Sequence, residues 1–80
     1  MTRDEIQKKI INIVADIASF PEDKIEGSSS LIEDIHADSL MVFEIAQEIE
    51  ATFEIEIDEE DLETIKTIND ATDHIEKRLK

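Results

Sequence analysis

Asp38-Ser39-Leu40 places a serine where a long polar loop gives way to a helix-periodic segment. A serine hydroxyl is a weak nucleophile unless a neighbouring base activates it, and no such base pattern surrounds this one. The position does suit modification by another enzyme. A phosphate ester there would lie beside the free N–H groups and the positive dipole end of a helix. The plainer role for Ser39 is a helix N-cap, which composition and spacing alone favour, with Asp38 as a second cap candidate. Ser39, His36 and an acid could be drawn as a triad. The chain has no nucleophile-elbow glycine pattern and hardly any volume for a substrate pocket, so that reading is rejected. The run Asp34 to Asp38 lacks the glycine and terminal glutamate of a calcium loop. His36 and His74 lack ligand spacing with each other, and no metal site is expected.

The elements that must position this serine are those of one small domain spanning residues 1–80, with a modest core. The absence of cysteine removes disulfides, thiolate catalysis and cysteine-ligated metals. The formal charge is −14, and its distribution says more than its total. From Ile25 to Ile65 there are fourteen acidic residues and no lysine or arginine. Such a surface makes nucleic acid and anionic membrane poor partners and a basic docking patch on another protein a good one. Regularly spaced Ile, Leu, Val and Phe run through the acidic stretch, which argues against disorder. No signal peptide is apparent and no segment reaches the length of a membrane span, so a cytoplasmic monomer is expected.

Thr2 and Glu5 have the spacing of a capping box, predicting a first helix from Arg3 with Ile6, Ile10, Ile13, Val14 and Ile17 as its buried stripe. Ser19-Phe20-Pro21 ends it. The long connection from Glu22 to Asp38 needs pins to the body of the domain, for which Phe20, Ile25, Leu31 and Ile35 are the candidates. A second helix is predicted from Asp38 or Ser39 to about Phe53, burying Leu40, Phe43, Ala46, Ile49 and Phe53, with Ile45 at the border of that face. Ile55 and Ile57 alternate with acids as in a strand, but a lone strand has no partner, so the segment reads as a connection. Asp58 is placed to cap a short helix over Glu59 to Thr64, turning Leu62 and Ile65 inward. Thr67 and Asp70 repeat the cap spacing, with Ile68, Ala71, Ile75 and Leu79 as the last stripe. The fold class is all-α, a small four-helix bundle with three longer helices, one short helix and a long first loop.

Ile35-His36-Ala37-Asp38-Ser39-Leu40 resembles the attachment motif of acyl carrier proteins. The likeness continues through Glu44, returns at Glu48 to Phe53, at Ile57-Asp58-Glu59-Glu60 and at Thr67-Ile68, and the helix plan matches over essentially the whole length. The resemblance implies that Ser39, accompanied by Asp38, carries 4′-phosphopantetheine donated by coenzyme A through a phosphopantetheinyl transferase. The protein would then perform no chemistry itself, carrying acyl groups as thioesters for the enzymes of fatty-acid synthesis or a related pathway. It implies that Leu40, Met41, Glu44, Gln47, Glu48 and Ile57 contact those enzymes, whose docking patches are basic. It also implies an acyl chain lodged among Phe43, Ile45, Ala46, Ile49, Ile57, Leu62, Ile65 and Ile68. The same serine would serve a specialised carrier of polyketide, aminoacyl or D-alanyl groups, while an unmodified acidic interaction module would not use it. Two residues depart from the family pattern. His36 stands where glycine is usual, and Met41 where an acid is common, both beside the serine.

Overall fold

A computed structural model of the chain describes residues 1–79. Four α-helices, α1 (Arg3–Ala18), α2 (Ser39–Phe53), α3 (Glu59–Thr64) and α4 (Ile68–Arg78), are joined by connections of very unequal length. The predicted capping boxes are both formed. Thr2 Oγ1 accepts the Glu5 N–H at 3.2 Å while the Thr2 N–H donates to Glu5 Oε1 at 3.0 Å, and Thr67 and Asp70 exchange the same pair at 3.1 Å each. These reciprocal bonds satisfy donors that a helix start otherwise leaves free. Ser19, in the left-handed region at φ 52°, closes α1.

α1 packs against both α2 and α4. Ile6, Ile10 and Val14 are buried, facing Ile45, Ile49 and Phe53 of α2 and Ile68, Ala71 and Ile75 of α4 in one core, with Ile13 and Ile17 half-buried at its edge. α1 and α4 run antiparallel, since Arg3 at the start of one pairs with Asp73 at 2.6 Å and Glu76 at 3.3 Å near the end of the other. Leu79, expected in the stripe of α4, is 43% exposed. It is the C-cap residue, just past the last turn of α4, and so falls outside the regular helical stripe.

The α2 face also differs from expectation. Ile45, Ala46, Ile49 and Phe53 are buried and Val42 packs beside them, whereas Leu40 and Phe43 are 66% and 49% exposed. The expected face advances in steps of three, and each such step falls about 60° short of a full turn, so the run walks around the helix. The true stripe alternates steps of three and four, which places Ile45 at its centre.

The first loop is held to the start of α4 by a short strip of backbone bonds. Asn69 N–H donates to Gly27 O at 2.8 Å, Ile68 N–H to Ser29 O at 3.2 Å and Leu31 N–H to Lys66 O at 2.9 Å, around an isolated antiparallel bridge between Ser30 and Thr67. A Cβ at position 27 would press on the side-chain amide of Asn69, so a larger residue there would force that exposed side chain to turn aside. Ile25, Leu31, Ile35 and Ala37 are buried, and Phe20 is half-buried. A single 3₁₀ turn, Glu22–Lys24, is the one helical element that sequence periodicity does not anticipate. Residues 55–57 form no strand, as expected, and are held by Glu50, whose Oε2 accepts the Ile57 N–H at 2.7 Å.

α3 is the least anchored helix. None of its residues is buried, and Asp58 makes no side-chain capping bond despite standing at the N-cap. Leu62 and Ile65 are half-buried. His74 of α4 looks toward α3, but its Nε2 is 4.0 Å from Asp61 Oδ2, beyond hydrogen-bonding range, and this buried nitrogen has no partner among the described residues.

Candidate functional site

The approach to Ser39 is set by three residues in front of it. Ile35 and Ala37 are both buried, and the Ala37 N–H donates to Leu31 O at 2.8 Å. Burying both neighbours turns His36 outward with φ at 63°, the left-handed region that glycine enters freely and other residues enter at a cost. The departure seen in the sequence, histidine where the family has glycine, therefore falls on a position whose backbone favours glycine.

Asp38, not Ser39, is the N-cap. Its Oδ1 accepts the Met41 N–H at 2.8 Å and its carbonyl accepts the Val42 N–H at 2.9 Å. Ser39 is the first residue of α2 and is exposed. The capping role favoured by spacing thus belongs to Asp38, which frees the serine hydroxyl. The N–H groups of Ser39 and Leu40 open the helix, where the dipole favours an anion.

Ser39 lines a groove of about 500 Å³ between the loop, α2 and α3. Leu31, Val42, Leu62 and Ile65 form its inner wall, and Ile32, Glu33, Glu63 and Lys66 its rim. The same four inner residues also bound a wholly apolar cavity deeper in the bundle. There they join Ile45, Ala46, Ile49, Ile57 and Ile68, with Ile10, Val14 and Ala71 closing the far side. Seven of the eight residues expected around an acyl chain line this cavity. Phe43 does not, because it lies on the outer side of α2. The cavity measures only about 20 Å³, room for little more than one water molecule. An acyl chain therefore enters only if a wall moves, and α3, carrying Leu62, is the wall with the weakest attachment.

The expected docking residues separate into two groups. Leu40, Glu44, Gln47 and Glu48 are exposed and follow one another along one side of α2 at helical spacing, joined there by Phe43. Met41 and Ile57 are half-buried and pack against the core, so Met41 serves loop and core packing. Sequence reasoning misses Val42, Ile32, Glu33, Glu63 and Lys66 as groove residues. Val42 fits the alternating three-and-four stripe and can be found that way. The other four come from the loop and from the region of α3, and no local signal joins them to Ser39. Among the described residues no group of three His, Cys, Asp or Glu side chains is arranged to hold a metal ion. No helix among them is long and apolar enough to cross a membrane.

An exposed hydroxyl beside open helix N–H groups, with the small Ala37 before it, can accept a bulky phosphodiester without displacing core atoms. The family model described as a phosphopantetheine attachment site matches residues 8–75. The chain is 34% identical to the acyl carrier protein of Petrotoga mobilis over 79 residues, covering 99% of this chain and 93% of that one. It is 39% identical to the acyl carrier protein of Rubrobacter xylanophilus over 75 residues, covering 94% and 93%. The solved structure of the acyl carrier protein from Enterococcus faecalis superposes with a TM-score of 0.78 at 35% identity, covering 94% of this chain and 95% of that one. Fatty-acid biosynthesis is the usual role of these relatives. With its fold, its exposed serine and its full-length likeness to them, the chain belongs to the acyl carrier protein family and is a carrier of acyl groups on covalently attached 4′-phosphopantetheine.

Proposed function

We propose that Ser39 is the attachment residue, and that the loaded protein delivers acyl groups to fatty-acid-synthesis enzymes in the cytoplasm without catalysing any step itself. One observation carries this reading. Ser39 is exposed at the first residue of α2 and lines a groove whose inner wall is shared with the apolar cavity. Asp38 holds the loop–helix junction through its bond to Met41, so the serine oxygen is presented from a fixed backbone. The open N–H groups of Ser39 and Leu40 favour the negative phosphodiester that forms there. When bound, the prosthetic group supplies a terminal thiol on which acyl groups ride as thioesters. Leu31, Val42, Leu62 and Ile65 offer the acyl tail a route from the groove to the interior, and displacement of α3 makes room for it.

Partners read the exposed side of α2. Glu44 and Glu48 present two carboxylates four residues apart, and Leu40 and Phe43 add apolar contact beside them. A partner with a basic patch and an adjoining apolar surface complements this combination, with charge governing the rate of encounter. The phosphopantetheinyl transferase is the first such partner, and the carrier meets it as a monomer.

Intact-mass measurement after incubation with coenzyme A and a phosphopantetheinyl transferase tests the assignment. Wild-type protein gains one phosphopantetheine and Ser39→Ala gains none while keeping its helical content, since Asp38 remains to cap α2. Modification of Ser39→Ala, or of Ser28, Ser29 or Ser30, overturns it.

A further inference from the structure

The groove beside Ser39 has acidic rims, Glu33 on the loop and Glu63 on α3, and a single cation, Lys66. The sequence shows how singular that charge is. Lys66 is the first lysine or arginine after Lys24, and it closes the acidic stretch. Its backbone is held on two sides, the carbonyl accepting the Leu31 N–H at 2.9 Å and its own N–H donating to Asp70 Oδ2 at 3.1 Å. The root of the side chain is thus fixed at the groove edge while the residue stays exposed. Among the described residues the Lys66 ammonium forms no ion pair, although two carboxylates share its groove.

A phosphodiester on Ser39 adds a negative charge between Glu33 and Glu63, which disfavour it. Open helix N–H groups offset part of that repulsion. A compact ammonium on a flexible four-carbon stem is well suited to offset more, because it can follow the phosphate without demanding one geometry. We propose, on the footing that Ser39 is the attachment residue, that Lys66 is a positioning residue for the prosthetic group. Its ammonium pairs with the phosphodiester and turns the arm into the groove, over Leu62 and Ile65, instead of outward along α2. The pairing acts before any partner arrives and keeps the thiol near the wall through which an acyl chain enters.

The test compares apo and modified protein by amide NMR shifts for wild type, Lys66→Arg and Lys66→Met, each first shown by intact mass to carry the group on Ser39. Among the described residues the Lys66 side chain makes no hydrogen bond that these variants would break, so all three keep the fold. In wild type and Lys66→Arg, modification displaces the amides of Ile32, Glu63 and Ile65 as well as those next to Ser39. In Lys66→Met most of the displacement at Ile32, Glu63 and Ile65 disappears, and added salt weakens it in wild type, as expected for an exposed pair. Equal displacements in Lys66→Met and wild type overturn the role of Lys66 and leave the attachment at Ser39 intact. Wild-type displacements that fall instead on Leu40, Phe43 and Gln47 overturn that role in the same way. A wild-type protein that gains no mass at Ser39 overturns the attachment reading and this role together.

Discussion

His36→Gly should stabilise the domain. The residue is exposed and its backbone sits at φ 63°, so replacing it loses no packing and relieves a conformation that L-residues resist. That resistance is about 1–2 kcal/mol, and histidine is among the residues that tolerate the region better, so the lower end applies. Glycine adds freedom to the unfolded chain worth about 0.4–1 kcal/mol in the opposite sense. The net expectation is a gain of roughly 0.5 kcal/mol, which for a domain of this size corresponds to a rise in Tm of about 2–4 °C. His36→Val supplies the contrast. A β-branched residue is a true outlier at this φ, so that variant should lose about 1 kcal/mol or more. Urea unfolding followed by far-UV circular dichroism, with the slope checked for constancy, gives both values. A less stable His36→Gly protein, or a His36→Val protein equal to wild type, would show that the left-handed turn before Ser39 is not where the strain lies.

Glu44→Lys combined with Glu48→Lys should slow modification and acyl transfer several-fold with stability changed by about 0.5 kcal/mol or less, because both carboxylates are exposed. The matching control reverses Glu22 and Asp23, exposed acids outside the groove, and equal loss in both variants would mean that only net charge matters. Asp73 is unsuitable for that control because it pairs with Arg3, and Glu5 because it completes a capping box. The Glu5 carboxyl is held below its ordinary 4.5 by its hydrogen bonds from Thr2, the backbone N–H foremost. Its stabilising effect is therefore complete above that ordinary value and lost as pH falls through the depressed one. Thermal melts should show wild type more stable than Glu5→Gln above about pH 5, with the difference shrinking on acidification; a pH-independent difference would count against the capping bond. His74→Phe, which replaces a buried nitrogen that has no partner among the described residues, should leave Tm unchanged or raise it, and a loss above about 1 kcal/mol would reveal a bond beyond those described.

The starts of α1 and α4 are legible in the sequence because each is written as a reciprocal pair, Thr2 with Glu5 and Thr67 with Asp70, and such pairs act within three residues. Asp58 marks the start of α3 correctly without making a capping side-chain bond, so there the signal lies in residue preference. The buried face of α2 is easily misread because Leu40 and Phe43 are apolar at plausible spacing, and apolar residues left exposed carry the same letters as those placed inward. Hydrophobic pattern measures affinity for any apolar neighbour, whether core or partner. The serine and its cap stand adjacent in sequence, so both are visible there, although only the Met41 hydrogen bond separates their roles. The groove is not visible. Ile32, Glu63 and Lys66 meet Ser39 only through tertiary packing. His36 gives no sign of its backbone, since nothing in the residue type announces a left-handed turn.

The strip of backbone bonds joining Gly27, Ser29 and Leu31 to the residues that open α4 divides the molecule by local stability. The serine's loop is tied to the most deeply packed part of the bundle, whereas α3 fully buries no residue and has no side-chain capping bond. Opening α3 need not break any bond of the strip, so the helix can unfold in a low-energy excursion of its own while the loop remains closed. Amide hydrogens of Leu31, Ile68 and Asn69 should therefore exchange together and slowly, near the rate of global unfolding, and those of Leu62 and Ile65 much faster. On the proposed reading of Ser39 as the attachment residue, such a pattern would combine a gate that melts readily with a mount for the serine that does not, so that a cargo could come and go without loosening the point from which it hangs.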